Sequence, residues 1–223
     1  MFLMITDSET TGLDPAKEKL IEVGALLYDM EADAIVETYQ SFLPSKDNAC
    51  EHINHIPPAA LQKVPEFQLE VATDNLIGMS ERADFVIAHN AKFDRGFYEQ
   101  NGIILEADWV CSKSDLTYPG NHKSMRLGHL CYDFDIPVFN AHTAIGDCVI
   151  LLELVKKVPN LKDQLMASKE PKQLYAAQVT FDTKEKAKAQ GFTWDKKLKM
   201  WTKNLSDTEV KALQSQGLEL KAI

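Results

Sequence analysis

The chain has 223 residues, of which 45 % are hydrophobic and 26 % are charged, and its formal net charge is −9 at pH 7. This balance is typical of a globular protein, and no apolar run approaches the ~20 residues of a membrane-spanning helix. The four cysteines are widely spaced and form no Cys-x-x-Cys pair, so the sequence predicts neither a zinc site nor a disulfide framework. A reducing, cytoplasmic setting is the simplest expectation.

The net charge is unevenly distributed along the chain. Residues 1–167 hold 13 basic against 26 acidic residues, whereas residues 168–223 hold 11 against 7 and so carry a net charge of +4. Such an asymmetry predicts two modules with different roles, although a small domain is also often lysine-rich for solubility alone. We therefore expect an N-terminal domain over residues 1–167, a linker over residues 168–176 and a small basic accessory domain over residues 177–223.

Apolar periodicity predicts a mixed α/β sheet with helices on its faces. Three strands joined by short turns come first, and helices then alternate with further strands. The predicted strands cover residues 1–5, 19–30, 34–43, 84–88 and 109–111. The predicted helices cover residues 57–61, 68–82, 91–101, 124–134 and 142–158.

The C-terminal part has the pattern of a small α+β unit of roughly 45 residues. Its predicted elements are a strand over residues 178–181, a helix over 183–190, and a hairpin of strands 192–194 and 199–202. The stretch Ser206-Asp207-Thr208-Glu209 has a capping-box pattern and predicts the start of a last helix.

Asp7 and Glu9 follow the first apolar run directly. If that run is a strand, side chains two residues apart project from the same face. Two carboxylates held so close stay ionised together only when a cation lies between them, and hard oxygen ligands favour Mg²⁺ or Mn²⁺. The alternative interpretation is a solvated acidic turn.

Two further acidic motifs lie where a helix is predicted to begin. Asp94 falls in the first turn of the helix after the strand 84–88, with Asn90 placed to cap that helix. His142 and Asp147 open the longest helix, where a carboxylate on an apolar face needs a partner. Taken singly, each of these residues also has an ordinary structural explanation, as a helix cap, a surface histidine or a helical acid.

Taken together and in order, the motifs are specific. They are Asp7-Ser8-Glu9-Thr10-Thr11-Gly12-Leu13, Ile21-Glu22-Val23-Gly24, His89-Asn90-Ala91-Lys92-Phe93-Asp94 and His142-Thr143-Ala144-Ile145-Gly146-Asp147. Residues 1 to about 160 thereby resemble the histidine branch of the DEDD superfamily of 3′–5′ exonucleases, which includes the proofreading exonuclease of bacterial replicative polymerases. Trp109-Val110-Cys111-Ser112-Lys113 most resembles the exonuclease X subgroup. The resemblance implies a ribonuclease H-like fold.

The sequence departs from the family pattern at two places. Asn54 stands where the family often has a histidine, which affects only a secondary contact. Gly146 replaces a bulkier residue, which costs the helix ~1 kcal/mol relative to alanine and is not expected to affect the chemistry.

The resemblance also implies the role of each site residue. Asp7 would bridge two divalent ions, Glu9 and Asp147 would complete the shell of one ion, and Asp94 would hold the second. Two such ions, about 3.5–4 Å apart, stabilise the entering and leaving oxygens in phosphodiester hydrolysis. His142 would accept the proton of the attacking water, because an imidazole exchanges protons near neutral pH.

Six further residues are expected at the terminal nucleotide of the substrate: Thr10, Thr11, Leu13, His89, Asn90 and Phe93. By resemblance, the two threonines, the leucine and the phenylalanine line that nucleotide, and the other two lie near it. Phe93 could equally be a core residue beneath its helix.

These expectations lead to a metal-dependent 3′–5′ exonuclease that removes nucleoside monophosphates from the 3′ end of DNA. An exoribonuclease acting on RNA ends or short oligoribonucleotides remains an alternative, since nothing in the motifs distinguishes a 2′-hydroxyl. A non-catalytic nucleic-acid-binding module is the third hypothesis, and the presence of all four acids and His142 argues against it. A polymerase or another replication or repair protein is a possible partner.

The C-terminal unit leaves two interpretations open. Phe192, Trp194 and Trp201 lie among lysines, a composition suited to stacking bases and contacting phosphates. In a unit this small, the same aromatics could instead form the unit's own core. Residues 187–201 also resemble an accessory domain found in phage and plasmid DNA-processing proteins.

Overall fold

In the computed structural model, which describes residues 1–223, the first three apolar segments form the predicted antiparallel meander. Its strands are β1 (Phe2–Thr10), β2 (Leu20–Asp29) and β3 (Ala34–Phe42). Two further strands, β4 (Phe85–Ala88) and β5 (Asp108–Cys111), add in parallel to the free side of β1. The sheet order is β3-β2-β1-β4-β5, which confirms the predicted mixed sheet.

Six helices belong to this sheet's unit: α1 (Glu51–Asn54), α2 (Pro58–Leu61), α3 (Gln68–Ser80), α4 (Ala91–Gln100), α5 (Leu127–Asp133) and α6 (Ala144–Val155). Helix α6 packs on β1 and β2, and α3 packs on β3. Side chains from the strands, α3 and α4 share one core, with Met4, Val86 and Phe97 completely buried. The short helix α1 was not predicted, and α5 begins three residues later than predicted.

The first strand is longer than its apolar run. The sequence predicts an end at residue 5, but β1 continues through the acidic motif to Thr10. Asp7 lies opposite Gly24 of β2, and Glu9 lies opposite Glu22. The backbone ladder to β2 therefore holds both motif carboxylates within regular strand geometry.

Residues Lys162–Ile223 form a second compact unit, separate from Met1–Leu161. Its elements are α7 (Leu161–Ser168), β6 (Gln173–Ala177), α8 (Lys184–Ala189), β7 (Thr193–Asp195), β8 (Met200–Leu205), α9 (Asp207–Ser215) and β9 (Leu220–Ala222). The strand order is β7-β8-β6-β9. The hairpin and the capping box are present as predicted, with Ser206 accepting from the Glu209 backbone N–H and Glu209 accepting from that of Ser206.

The predicted position of one strand in this part of the chain is wrong. The strand expected over residues 178–181 lies earlier, at Gln173–Ala177, within the polar segment expected to be a linker. That segment is a strand because β8 and β9 pair with it on both sides, and β9 had no signal strong enough to be predicted. The two compact units meet between residues 161 and 162, and the expected domain bounds of 1–167, 168–176 and 177–223 stay a prediction.

None of the helices combines the length and the apolar composition that crossing a lipid bilayer requires.

Candidate active site

The carboxylates of the first and second motifs meet at one end of the sheet. Strand β4 runs parallel to β1, with Ile87 opposite Ile5, so both strands finish at the same edge. Asp94, in the first turn of α4, follows β4 at that edge and is only 2 % exposed. The hydroxyl of Ser8 on β1 donates a hydrogen bond to Asp94 Oδ1 at 2.7 Å. This bond links the two motifs directly and fixes the orientation of the Asp94 carboxylate.

Helix α6 brings the third motif to the same place. The ligating atoms of Glu9, His142 and Asp147 all lie within 4.8 Å of one another. Asp147 lies in the first turn of α6, and its carboxylate accepts a hydrogen bond from the backbone N–H of His142. The His142 side chain is exposed, and its backbone has a left-handed φ of 65°. The imidazole therefore lies on the solvent side of the cluster, where an incoming substrate and water can reach it.

The start of α6 is anchored by β2. The buried carboxylate of Glu22 accepts the backbone N–H of Ala144 at 3.0 Å and the side-chain amide of Gln40 at 2.6 Å. Beside it, a Cβ on Gly24 would clash with the backbone of Ala144 and Ile145. These two residues thus set the position from which α6 presents Asp147. Glu22 and Gly24 belong to the motif Ile21-Glu22-Val23-Gly24, but no site role was predicted for them. A glutamate within an otherwise apolar strand was a usable signal.

Gly146 has a role that the sequence expectation omitted. A Cβ at this position would clash with the carbonyl oxygen of Asn140 and with the Thr143 hydroxyl. The Gly146 N–H donates to Thr143 Oγ1 at 3.2 Å, and that hydroxyl donates to the Asn140 carbonyl at 2.8 Å. The loop that carries His142 folds back onto the helix only because position 146 has no side chain.

The carboxyl groups of this cluster resist ionisation. Burial raises the pKa of Asp7 well above its usual value, and the neighbouring Asp94 and Asp147 raise it further. Burial likewise raises the pKa of Glu9 to about 8, with Asp147 the next largest cause. The pKa of Asp94 is raised to about 7 by burial, against the lowering effect of its bond from Ser8.

This donor set fits divalent cations. A buried group of carboxyls that repel one another needs positive charge to be ionised together at neutral pH. The converging donors are carboxylate oxygens with one imidazole at the edge, and oxygen-rich sites of this kind suit hard ions. The arrangement can therefore hold metal ions at the edge of the sheet, next to a histidine able to exchange a proton.

The hydroxyl groups of Thr10 and Thr11, at the end of β1, both donate hydrogen bonds within the protein. Thr10 Oγ1 donates to the Gly12 carbonyl at 2.6 Å, and Thr11 Oγ1 donates to Glu18 at 2.6 Å. Both threonines are buried, whereas Leu13 projects from the same turn with 84 % of its surface exposed. Of this group, Leu13 is the side chain that the structure leaves free to contact a nucleotide.

Asn54, at the position where the family often has histidine, supports this turn from behind. Its buried side chain donates to the Thr10 carbonyl at 3.3 Å and accepts from the Asn48 amide at 2.8 Å.

In the second motif, His89 makes internal hydrogen bonds, whereas Asn90 is exposed. Both ring nitrogens of His89 are engaged, Nδ1 with the Ser112 hydroxyl at 2.8 Å and Nε2 with the Met125 carbonyl at 2.9 Å. In this structure the ring tethers the segment after β5, and burial lowers its pKa. Substrate binding by His89 stays a prediction.

Asn90 and Phe93 lie at the start of α4, next to Asp94 in the chain. Asn90 is the N-cap residue but has a left-handed φ of 84° and makes no side-chain capping bond, so the expected cap is wrong. Its exposed amide is available to a ligand. Phe93 is half-buried and packs against the core, with its ring centroid 5.0 Å from that of Phe97. Its contact with a nucleotide stays a prediction.

Comparison with protein families finds two matches. An exonuclease family model, RNase T, matches residues 4–155. A domain family of unknown function matches residues 173–217, within the second unit.

Among curated relatives, the chain is 29 % identical over 161 residues to the DNA polymerase III epsilon subunit of Treponema pallidum, covering 66 % of this chain and 72 % of that protein. It is 29 % identical over 172 residues to the PolC-type DNA polymerase III of Bacillus subtilis, covering 69 % of this chain but 11 % of that protein. The similarity thus spans most of the first relative and about a tenth of the second.

Solved structures share the fold. Escherichia coli exonuclease I in complex with a dT13 oligonucleotide aligns with a TM-score of 0.61 and 18 % identity, covering 79 % of this chain and 48 % of that one. Cell-death related nuclease 4 aligns with a TM-score of 0.54 and 14 % identity, covering 70 % and 62 %. The chain spans about half of exonuclease I.

Proposed function

The chain belongs to the exonuclease family, and from this premise we propose that its first unit is a metal-dependent 3′–5′ exodeoxyribonuclease that releases nucleoside monophosphates from DNA ends. One observation carries the proposal. The ligating atoms of Glu9, His142 and Asp147 lie within 4.8 Å of one another, at the same edge of the sheet as Asp7 and Asp94. These five residues come from three separate parts of the chain.

The acidic residues of this edge would hold the metal. Asp7, Glu9, Asp94 and Asp147 would provide oxygen ligands, and the preference of such ligands is for Mg²⁺ or Mn²⁺. When bound, divalent ions supply positive charge that activates an attacking water and stabilises the charge on the entering and leaving oxygens. Their charge also allows the crowded carboxyls, whose pKa values are raised in their absence, to ionise together.

The protein's own groups position the reaction. His142 accepts the proton of the attacking water at its imidazole, which lies within reach of Glu9 and Asp147 and is open to solvent. Ser8 holds the Asp94 carboxylate, and Glu22 holds the start of the helix that carries Asp147. Prearranged groups of this kind need no reorganisation when charge develops.

The substrate's terminal nucleotide would lie beside these groups. Leu13, Asn90 and Phe93 are at least partly exposed at the same edge and are placed to contact a sugar and a base. The internally bonded Thr10 and Thr11 would act by fixing the turn that presents Leu13, and by offering backbone groups.

The choice of DNA is supported by the relatives. The curated ones are subunits or forms of DNA polymerase III, and exonuclease I is a structure with a bound dT13 oligonucleotide. On the same basis, a replication or repair protein is the partner we propose, and the cytoplasm the location.

Products of labelled oligonucleotides test direction, substrate and metal dependence together. With Mg²⁺, a 5′-labelled DNA strand should shorten one nucleotide at a time, whereas a 3′-labelled strand should release its label at once as a mononucleotide. The matched RNA strand should be cut far more slowly. Release of the 5′ label first, internal cutting, faster RNA degradation, or activity that persists in EDTA would each contradict the proposal.

A further inference from the structure

The second unit has a groove of about 700 Å³ that the proposed exonuclease chemistry does not use. Its walls come from the segment after β6 and from the β7–β8 hairpin. The lining side chains include three aromatic residues, a methionine and two lysines: Phe181, Trp194, Trp201, Met200, Lys184 and Lys199. We propose that this groove binds single-stranded DNA, with bases stacked on the aromatic rings and phosphates paired with the lysines.

Of the three aromatic residues of the groove, Phe181 and Trp194 lie outside the unit's core, whereas Trp201 also packs against it. Phe192 is 3 % exposed and packs with Ala187, Leu205 and other apolar side chains, so the core interpretation is right for this residue. Trp201 is partly buried against that core. Trp194 is 48 % exposed and Phe181 is 80 % exposed. Large apolar rings at such exposure add little to folding, because burial is what stabilises them.

The two tryptophans of the hairpin form an aromatic surface whose geometry is fixed before any ligand binds. Trp194 and Trp201 are directly opposite each other on β7 and β8, and their ring centroids lie 5.7 Å apart at an interplanar angle of 61°. Cross-strand aromatic pairs hold their rings in place without a ligand. A base that stacks on the exposed Trp194 ring therefore meets a surface already ordered by the hairpin.

Positive charge lies at the same rings. Lys184 Nζ is 3.3 Å from the centroid of the Phe181 ring, and Lys188 Nζ is 5.6 Å from that of Trp201, while also pairing with Glu185. Residues 162–223 hold 12 lysines against 8 acidic residues, a net charge of +4. Asp195, the acidic residue of the hairpin turn, accepts hydrogen bonds from the backbone N–H groups of Lys197 and Leu198. The groove thus combines aromatic faces with cations, the pairing that binds single strands without sequence preference.

The occupant must offer flat apolar faces and negative charge together. Bases in a duplex are stacked on one another, whereas those of a single strand can turn onto protein rings. The preference for DNA over RNA rests on the proposed function of the first unit, which acts on DNA ends. The groove would then bind the strand whose 3′ end the same chain removes.

The test measures binding by the full-length chain, with Asp7→Ala to prevent degradation and with 5′-labelled dT20 as the probe. Phe181→Ala and Trp194→Leu should each weaken binding by about 5- to 100-fold, since stacking of a base on an aromatic ring contributes at that scale. Lys184→Gln should lower the slope of log affinity against log salt by about 0.7. Two variants outside the groove lining are matched controls: Met166→Ala removes an exposed apolar side chain, and Lys211→Gln removes a lysine. Neither control should change the affinity for dT20 by as much as twofold.

A spectroscopic measurement separates stacking from a general charge effect. Bases stacked on tryptophan should quench fluorescence when dT20 is added, and most of the quenching should disappear in Trp194→Phe. Quenching that is the same with and without Trp194 would overturn the stacking arrangement, as would groove variants with wild-type affinity and salt slope. Tighter binding of a U20 RNA strand, or of duplex DNA, would overturn the choice of single-stranded DNA.

The two proposals fail independently. Single-turnover hydrolysis of a DNA trinucleotide, with Asp7 intact, measures the activity of the first unit separately from dT20 binding. If the wild type hydrolyses no strand but dT20 binding still depends on Phe181 and Trp194, the proposed function fails and the groove proposal stands. If hydrolysis is normal and the groove variants bind dT20 as well as the parent, the groove proposal fails alone.

Discussion

The two units of this chain differ in the sign of the charge at their candidate sites and in how deeply the charged groups are buried. In the first unit, acidic side chains are gathered at the edge of a sheet and buried deeply enough that the pKa values of Asp7, Glu9 and Asp94 rise. In the second unit, lysines and aromatic rings stay at the surface of a groove. An acidic site can meet a phosphate only through a cation, whereas lysines can meet one directly. A chain of net charge −9 can therefore be suited to nucleic acid, because the local placement of charge, and not its total, decides the interaction.

The largest expected effect comes from removing the central carboxylate. Asp7→Ala should lower DNA hydrolysis by at least about 10³-fold, because it removes the carboxylate that we propose as the central metal ligand. The measurement is single-turnover release of nucleotide from a 3′-labelled strand. Asp14→Ala is the matched control, since Asp14 lies in the following loop and pairs with Lys17 at the surface. Equal activities of the two variants would contradict the role of Asp7.

His142→Ala should have the next largest effect, about 10²–10⁴-fold on turnover, the usual contribution of a general base. Binding of a 3′ end should change much less, because the histidine acts on the attacking water. Single-turnover rates at saturating DNA, set beside affinity measured with Ca²⁺ in place of Mg²⁺, separate the two quantities. A variant with wild-type turnover would remove His142 from proton transfer.

Glu22 tests whether positioning by β2 matters to the acidic site. Glu22→Ala removes both the bond to the Ala144 N–H and that to Gln40, and should lower turnover by about 10- to 100-fold through displacement of α6. Glu22→Gln keeps an acceptor for the Ala144 N–H and should recover most of the activity. If both variants lose activity equally, the charge of Glu22 and not its bond to the helix would be the relevant property.

The smallest expected effect is on stability, and it depends on pH. Asp94 has a raised pKa in the folded protein, so the folded state binds more protons than the unfolded state between about pH 4 and pH 7. The free energy of unfolding without metal should therefore fall as pH rises through this range. Asp94→Asn removes the buried charge and should raise the melting temperature in EDTA at pH 8 by about 2–8 °C.

Thermal unfolding in EDTA at pH 5 and pH 8 provides the measurement. The gain from Asp94→Asn should be small at pH 5 and larger at pH 8. Mg²⁺ should stabilise the wild type more than the variant, because binding to the folded state alone raises its stability. A melting temperature that rises in the wild type between pH 5 and pH 8 in EDTA would contradict the electrostatic account.

Local sequence patterns were sufficient to predict those parts of the protein that depend on neighbouring residues in the chain. Apolar runs in β1 and β2 and apolar alternation in β3 predicted the meander, and the capping box predicted the start of α9. Three short motifs, separated along the chain by more than 40 residues, identified the acids and the histidine that the fold brings to one edge. The spacing of residues within a motif indicates their local geometry, and the order of the motifs along the chain indicates the family.

Features that depend on residues distant in sequence could be recognised only in the folded structure. The polar segment 173–177 is a strand because β8 and β9 lie on either side of it, and nothing in its own residues specified those partners. Gly146 and Gly24 matter because another stretch of backbone passes too close for a Cβ, which no local pattern records. Likewise Phe192 became core while Trp194 stayed exposed, although both lie in one aromatic, lysine-rich stretch. The side of a strand that a helix covers is fixed by packing across the whole unit, and that packing separates a core ring from a binding surface.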